Sequence, residues 1–194
     1  MIDSMSDERV EQILDAAYAC FTRHGIKRTS MDDIAREVGM SRSAVYQYVR
    51  NKEDAYRRLA ERLFDAALAQ ARQDAGSGRD LAERLTAVLM AKLDLTLRLW
   101  HDSPAHAAEL LGVNARLSAD LDAAYIDAMR ELLVGIITAD RHTTDAAEPA
   151  EVLLALTRGL EADLSDPDVP ARRLRYGVAL LVAGLPDSNS EERS

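Results

Sequence analysis

Cysteine is nearly absent from this chain, and aromatic side chains and long hydrophobic runs are scarce. The single cysteine, Cys20, excludes an internal disulfide and a structural zinc shared between thiols. Its position on an apolar helical face points to packing. No stretch approaches the roughly 20 uninterrupted apolar residues that would cross a bilayer. The opening MIDSMSDERV is acidic and polar rather than basic then apolar, so no membrane partner and a cytoplasmic location are expected. Aromatics at 5%, beside 47% hydrophobic and 29% charged residues, describe a soluble, helix-rich chain. Strand signals and internal repeats are missing. So are a nucleophile elbow, a phosphate-cradling glycine loop, a dinucleotide fingerprint and a His-Glu zinc helix. No enzymatic activity, catalytic residue or cofactor is therefore expected. No metal site is expected either, because His101 and His106 are five apart with Pro104 between them and cannot share a helical face.

The chain also lacks an overall positive charge, which at first argues against nucleic acid, since neutralised phosphates supply much of DNA affinity. The net charge is −9. Its distribution reverses the impression. Residues 20–58 hold nine basic side chains (Arg23, Lys27, Arg28, Arg36, Arg42, Arg50, Lys52, Arg57, Arg58) against five acidic ones. The flanking segments carry the negative excess. One segment suited to an anion, attached to a body that is not, is what this asymmetry predicts.

Helix signals follow in order along the 194 residues. Ser6 with Asp7 and Glu8 marks a start, and Val10, Ile13, Leu14, Ala17, Cys20 and Phe21 form one apolar stripe that Gly25 ends. Ser30 caps a short second helix whose apolar residues are Met31, Ile34, Ala35 and Val38, closed by Gly39. Ser41 caps a third, from Arg42 to about Val49, and a fourth begins near Glu53. The helix, glycine-containing turn and helix of residues 31–49 are a helix-turn-helix signature. Five more helices are expected: about Leu81–Trp100, a short one between Pro104 and Gly112, Ala115–Asp140, Glu148–Leu164, and one that follows the break at residues 166–170 and ends at Leu185. The last residues read as a frayed tail.

At roughly 100° per residue the third helix divides cleanly. Val45 and Val49 lie together with Tyr48 on their flank, and Arg42, Ser43, Tyr46 and Gln47 fall on the opposite arc. Arg can give two parallel hydrogen bonds to a guanine edge and Gln can do the same for adenine, while Ser and Tyr hydroxyls meet bases or phosphates. Thr29 and Ser30 stand at the start of the second helix, where free N–H groups attract an anion. Tyr48 and Lys52 can reach the flanking backbone.

The run ILDAAYACFTRHGIKRTSMDDIAREVGMSRSAVYQYVRNKEDAY resembles the N-terminal domain of the tetracycline-repressor (TetR) family. The features that carry the likeness are the "ILDAA…F…HG" first helix, "TSMDDIA" in the second, "VGMS" at the turn, "VY-x-Y" in the third and "NKE" at the fourth, over roughly residues 9–58. The resemblance implies base contacts from Arg42, Ser43, Tyr46 and Gln47, and phosphate contacts from Thr29, Ser30, Tyr48 and Lys52. Val45 stands where leucine is usual and Val49 where an aromatic is frequent; the small Ala44 leaves one contact position without a polar group.

One such helix covers only a few base pairs, so a homodimer with two reading helices about 34–36 Å apart is expected. Its candidate interface is the last two helices, through Leu153, Leu156, Leu160, Leu164, Leu174, Val178, Leu181 and Val182. Val152, Leu154, Tyr176 and Leu180 widen those stripes beyond one core face. The resemblance implies a four-helix interface built from them. A pocket for a small-molecule effector would draw on Met90, Asp94, Arg98, Trp100, Tyr125 and Met129. The expected whole is an all-α chain of about nine helices. It has a three-helix helix-turn-helix DNA-binding domain (residues 7–58), a helical ligand-binding and dimerisation domain (59–186) and a flexible tail (187–194). Its expected role is that of a transcriptional regulator, a repressor held on a double-stranded palindromic operator as a dimer and released by an effector. A ligand-independent architectural dimer or an activator is the alternative.

Overall fold

A computed structural model of the chain describes residues 2–76, 80–107, 110, 117–141, 145–164, 166 and 168–185, with the side chains of 2–4 left aside. Every regular element among the described residues is helical. In chain order they are α1 (Ile2–His24), α2 (Met31–Val38), α3 (Arg42–Val45), α4 (Lys52–Ala75), α5 (Leu81–Asp102), α6 (Ala119–Arg141), α7 (Ala147–Leu160) and α8 (Asp168–Gly184). The expected tail, and part of the expected short helix between Pro104 and Gly112, lie outside the described residues; the Ser103 carbonyl accepts from the Ala107 N–H at 2.7 Å and the His106 carbonyl from the Leu110 N–H at 2.8 Å.

Several boundaries differ from expectation for local reasons. Helix α1 begins at Ile2, so Ser6 lies within it and caps nothing; residues 5–9 are exposed, and no packing marks where the helix should stop. Helix α8 includes Asp168, Val169 and Pro170, because proline fits the first helical turn, where its missing N–H would have had no partner. Helix α6 starts at Ala119 and α7 stops at Leu160.

The described residues within Met1–Phe64 and Arg98–Asp122 make one compact unit, and those within Asp65–Leu97 and Ala123–Ser194 make another. In the first unit Ile13, Leu14, Ala17, Cys20 and Phe21 of α1 meet Ile34 and Ala35 of α2, Val45, Val49, and Tyr56 and Leu59 of α4. The Phe21 and Tyr56 rings lie 6.1 Å apart and tilted, a favourable aromatic arrangement. Burial pushes the Cys20 thiol pKa up, which suits packing and disfavours the reactive thiolate. In the second unit Leu85, Leu89 and Leu93 of α5, Met129, Leu133 and Ile137 of α6, Leu153 and Leu154 of α7 and Leu174 and Val178 of α8 are buried. There α8 approaches α7 so closely that a Cβ on Gly177 would stand 2.6 Å from a Leu156 methyl.

Candidate nucleic-acid interface

Helix α3 has the buried Val45, and Val49 beyond it, behind it and a Ser41 cap at its start. Gly25 (φ 77°) and Gly39 (φ 72°) adopt the left-handed conformation that lets the chain leave α1 and α2. Around Gly39 there is open space, so its backbone angle and not crowding calls for glycine. Ser30 closes a capping box: its Oγ accepts from the Asp33 N–H at 3.2 Å, and the Ser30 N–H donates to Asp33 Oδ2 at 2.9 Å. The Ser30 hydroxyl also donates to Asp33 Oδ2 at 2.6 Å. These bonds hold the Asp33 carboxyl below the usual carboxylate range. Ser41 caps α3 by accepting from the Ala44 N–H at 3.2 Å.

Helix α3 itself is shorter than the sequence predicts. Its α-helical part covers Arg42–Val45, after which the Gln47 and Tyr48 N–H groups donate to the carbonyls three residues back, at 3.1 and 3.0 Å. The chain tightens into 3-10-like turns before Val49 returns to the α pattern with Val45. The division of faces survives this tightening. Val45 and Val49 are buried, whereas Ser41, Arg42, Ser43, Tyr46 and Gln47 are exposed, Tyr46 at 41%.

The four residues expected to read bases thus share one accessible surface. Arg42 there is already organised. Its Nη1 donates to Asp32 Oδ2 of α2 at 3.1 Å and its Nη2 to Tyr46 Oη at 3.3 Å. Its guanidinium carbon lies 5.5 Å from the centre of the Tyr46 ring, a cation–π distance. The Tyr46 hydroxyl, then the Asp32 charge, hold this guanidinium still more firmly protonated. Asp32 was not among the residues singled out from sequence. An acid in the first turn of a helix reads as a partner of the helix dipole, and nothing in a ten-residue separation announces a contact with Arg42.

The four flanking residues divide. Tyr48 is half-buried. Lys52 is half-buried too, its Nζ donating to the Lys27 carbonyl at 3.4 Å. Ser30 is exposed but its polar groups serve the cap. Thr29 is a correction: it is 2% exposed, and its hydroxyl is directed at the carbonyls of Gly25 (2.8 Å) and Cys20 (3.2 Å). Its side chain braces the turn after α1 and does not present itself to a phosphate.

The residues assigned to an effector pocket differ in burial. Asp94 and Arg98 are exposed, Met129 and Tyr125 are buried, and Met90 and Trp100 are half-buried; Arg98 and Trp100 belong to the first compact unit and the other four to the second. The residues assigned to a dimer interface also differ in burial. Leu153, Leu164, Leu174 and Val178 are buried within the second unit, and Leu156, Leu160, Leu181 and Val182 are half-buried. The large apolar residues that α7 and α8 leave exposed are Val152, Tyr176 (69%) and Leu180 (58%). Among the described residues no three His, Cys, Asp or Glu side chains gather as metal ligands, and no helix is long and apolar enough to cross a membrane.

The geometry agrees with what known proteins share with this chain. The family model for bacterial regulatory proteins of the tetR family matches residues 13–59. An HTH-type transcriptional regulator of Bacillus subtilis, YfiR, is 40% identical over 62 residues, covering 32% of this chain and 30% of its own. The transcriptional activator FasR of Mycolicibacterium smegmatis is 32% identical over 100 residues, covering 52% and 44%. The chain therefore matches less than half the length of either relative. Among solved structures, the regulator FadR of Bacillus subtilis in complex with stearoyl-CoA superposes with a TM-score of 0.70 at 19% identity, covering 91% of this chain and 99% of the other. That likeness shows the fold.

Proposed function

The chain belongs, through residues 13–59, to the tetR family of bacterial regulatory proteins, and from that premise we propose that it is a transcriptional repressor that grips a palindromic operator as a dimer. The observation that carries this reading is the one-sided surface of α3 and the turns after it: Arg42, Ser43, Tyr46 and Gln47 exposed over buried Val45 and Val49. Those side chains hold the donors and acceptors that read base edges in a major groove. In this reading Ser30, Tyr48 and Lys52 approach phosphates, and Thr29 acts only by shaping the turn. The exposed Val152, Tyr176 and Leu180 support a second copy as the partner of α7 and α8, since an exposed apolar face on paired helices favours association.

Release by a small molecule completes the proposal. Helix α4 runs unbroken from Lys52 to Ala75, so it is the natural lever by which an effector in the C-terminal helices would change half-site separation. DNA and effector then oppose each other with a coupling of about 1 to 3 kcal/mol. An acyl-CoA is the first probe to titrate, given the stearoyl-CoA complex of FadR. FasR is named an activator, and that name favours activation as the second reading; a promoter fusion that rises or falls on deletion of the gene separates the two.

The test is selection of duplexes from a random pool by the purified protein, followed by titration of the winner. A palindromic consensus bound by two chains is expected, with Arg42→Ala lowering affinity for it by about 1 to 3 kcal/mol. The double change Tyr176→Ser with Leu180→Ser should yield monomers in sedimentation. A pool left unenriched, or a wild-type monomer at micromolar concentration, defeats the proposal.

A further inference from the structure

We infer that Asp32 is a positioning residue that sets the selectivity of this surface: its carboxylate holds the Arg42 guanidinium in its base-reading pose and keeps it off the phosphates of unmatched DNA. The inference rests on the DNA-reading function proposed above and assigns a role to a residue whose charge opposes DNA. Asp32 and Arg42 come from different helices and meet at 3.1 Å with both side chains about half exposed. The contact is therefore made on the accessible surface itself, beside Tyr46, Ser43 and Gln47. Asp32 is not needed to cap α2, because Ser30 and Asp33 complete that box between themselves.

The donor count explains what the contact does. A guanidinium has five N–H groups. Asp32 engages one on Nη1 and the Tyr46 hydroxyl one on Nη2, which leaves Nε–H and a second N–H on each terminal nitrogen for a base edge. A guanine edge accepts two parallel bonds, so Arg42 can read while clamped. An unclamped arginine on an exposed helix would swing onto the nearest phosphate, and that contact carries no sequence information. The Asp32 carboxylate opposes this in two ways, by pairing with the guanidinium and by repelling the phosphates of any duplex that offers no compensating base contact. Tyr46 completes the clamp, its ring under the guanidinium carbon at 5.5 Å.

The experiment compares the duplex that the wild type selects from a random pool with a scrambled duplex, each titrated over a range of salt. Asp32→Asn should bind the scrambled duplex several-fold more tightly, with a salt slope steeper by about one because Arg42 now takes a phosphate. The ratio of selected to scrambled affinity should fall by about tenfold, within the range of one lost bidentate discrimination. Asp32→Glu, which keeps the charge, should restore the wild-type slope. In an Arg42→Ala background, Asp32→Asn should leave the ratio where Arg42→Ala put it. If Asp32→Asn shifts both duplexes alike with unchanged slopes, or moves the ratio as far without Arg42 as with it, Asp32 only stabilises α2 and the inference is overturned while the DNA-binding reading stands. A wild type that selects no sequence overturns both.

Discussion

The two compact units solve the same problem, covering apolar helix faces, with different materials. In the first, the short α2 and α3 are pinned by a dense apolar cluster around Phe21, Ile34 and Val45, and the charged groups of the Arg42 cluster stay on the surface. In the second, longer helices bury a wider stripe and with it a charged pair: Lys92 of α5 donates to Glu161 at 2.6 Å, both side chains largely covered, and Thr96 adds a second bond to the same carboxylate oxygen at 3.2 Å. The contrast teaches that the recognition surface owes its geometry to what lies behind it. The second unit instead carries a largely covered charged pair and an exposed apolar face. The chain's one tryptophan, Trp100, lies in the first unit, so its fluorescence reports that unit while far-UV circular dichroism reports both.

The largest expected effect strikes the apolar pin. Phe21 is wholly buried, and Phe21→Ala should cost about 4 kcal/mol, through lost transfer energy and the cavity left behind. The tryptophan-monitored urea midpoint should fall and operator binding should vanish, although no groove-facing residue has changed. If the two spectroscopic midpoints fall together, the units unfold as one and the comparison between them is broken.

The second unit should respond to charge where the first responds to volume. Lys92→Met keeps the stem and removes the ammonium, leaving the largely covered Glu161 carboxylate with only the Thr96 hydroxyl among its two observed donors. A loss of about 3 kcal/mol is expected, the lower end for breaking a covered ion pair. The double change Lys92→Met with Glu161→Leu should recover most of it, because an apolar pair removes the desolvation cost with the attraction. The loss should appear in circular dichroism before tryptophan fluorescence. A double variant as unstable as the single one would mean that the tie stabilises by more than charge balance.

The same contrast decides what could be read without coordinates. Caps and breaks depend on residues next to each other in the chain, so Ser30, Ser41, Gly25 and Gly39 announce themselves. The facing of Val45 and Val49 follows from helical periodicity alone. Thr29 could not be assigned, because whether a hydroxyl at a helix entrance turns inward depends on the carbonyls of α1 that happen to wait there. The apolar residues of α7 and α8 recur all round their helices, so periodicity says that they pack but not against what. Leu153 and Leu174 went inward and Tyr176 and Leu180 did not, a choice made by the approach of the two helices at Gly177. Asp32 and Lys92 were illegible for a related reason: each meets its partner across a distance in sequence that no local pattern encodes.

The smallest effect is a titration inside the first unit. Arg57 of α4 donates to Asp120 Oδ1 at 2.7 Å and to the Leu117 carbonyl at 3.0 Å, with a further bond to Asp120 Oδ2. The Arg57 hydrogen bonds lower the Asp120 pKa to about 2, assisted by the N–H groups at the start of α6. An unfolded aspartate titrates near pH 3.9. The stabilisation from this group is therefore complete above about pH 4 and is lost as pH falls through about 2, since the unfolded chain takes up its proton first. Both side chains are substantially exposed, so screening keeps the effect small. Urea midpoints of the wild type and Asp120→Asn, read by tryptophan fluorescence, should differ at pH 6 and converge between pH 4 and 2. A difference that stays constant with pH would mean that the pair does not form in solution, and that the first unit is held by its apolar cluster without this ionic tie between α4 and α6.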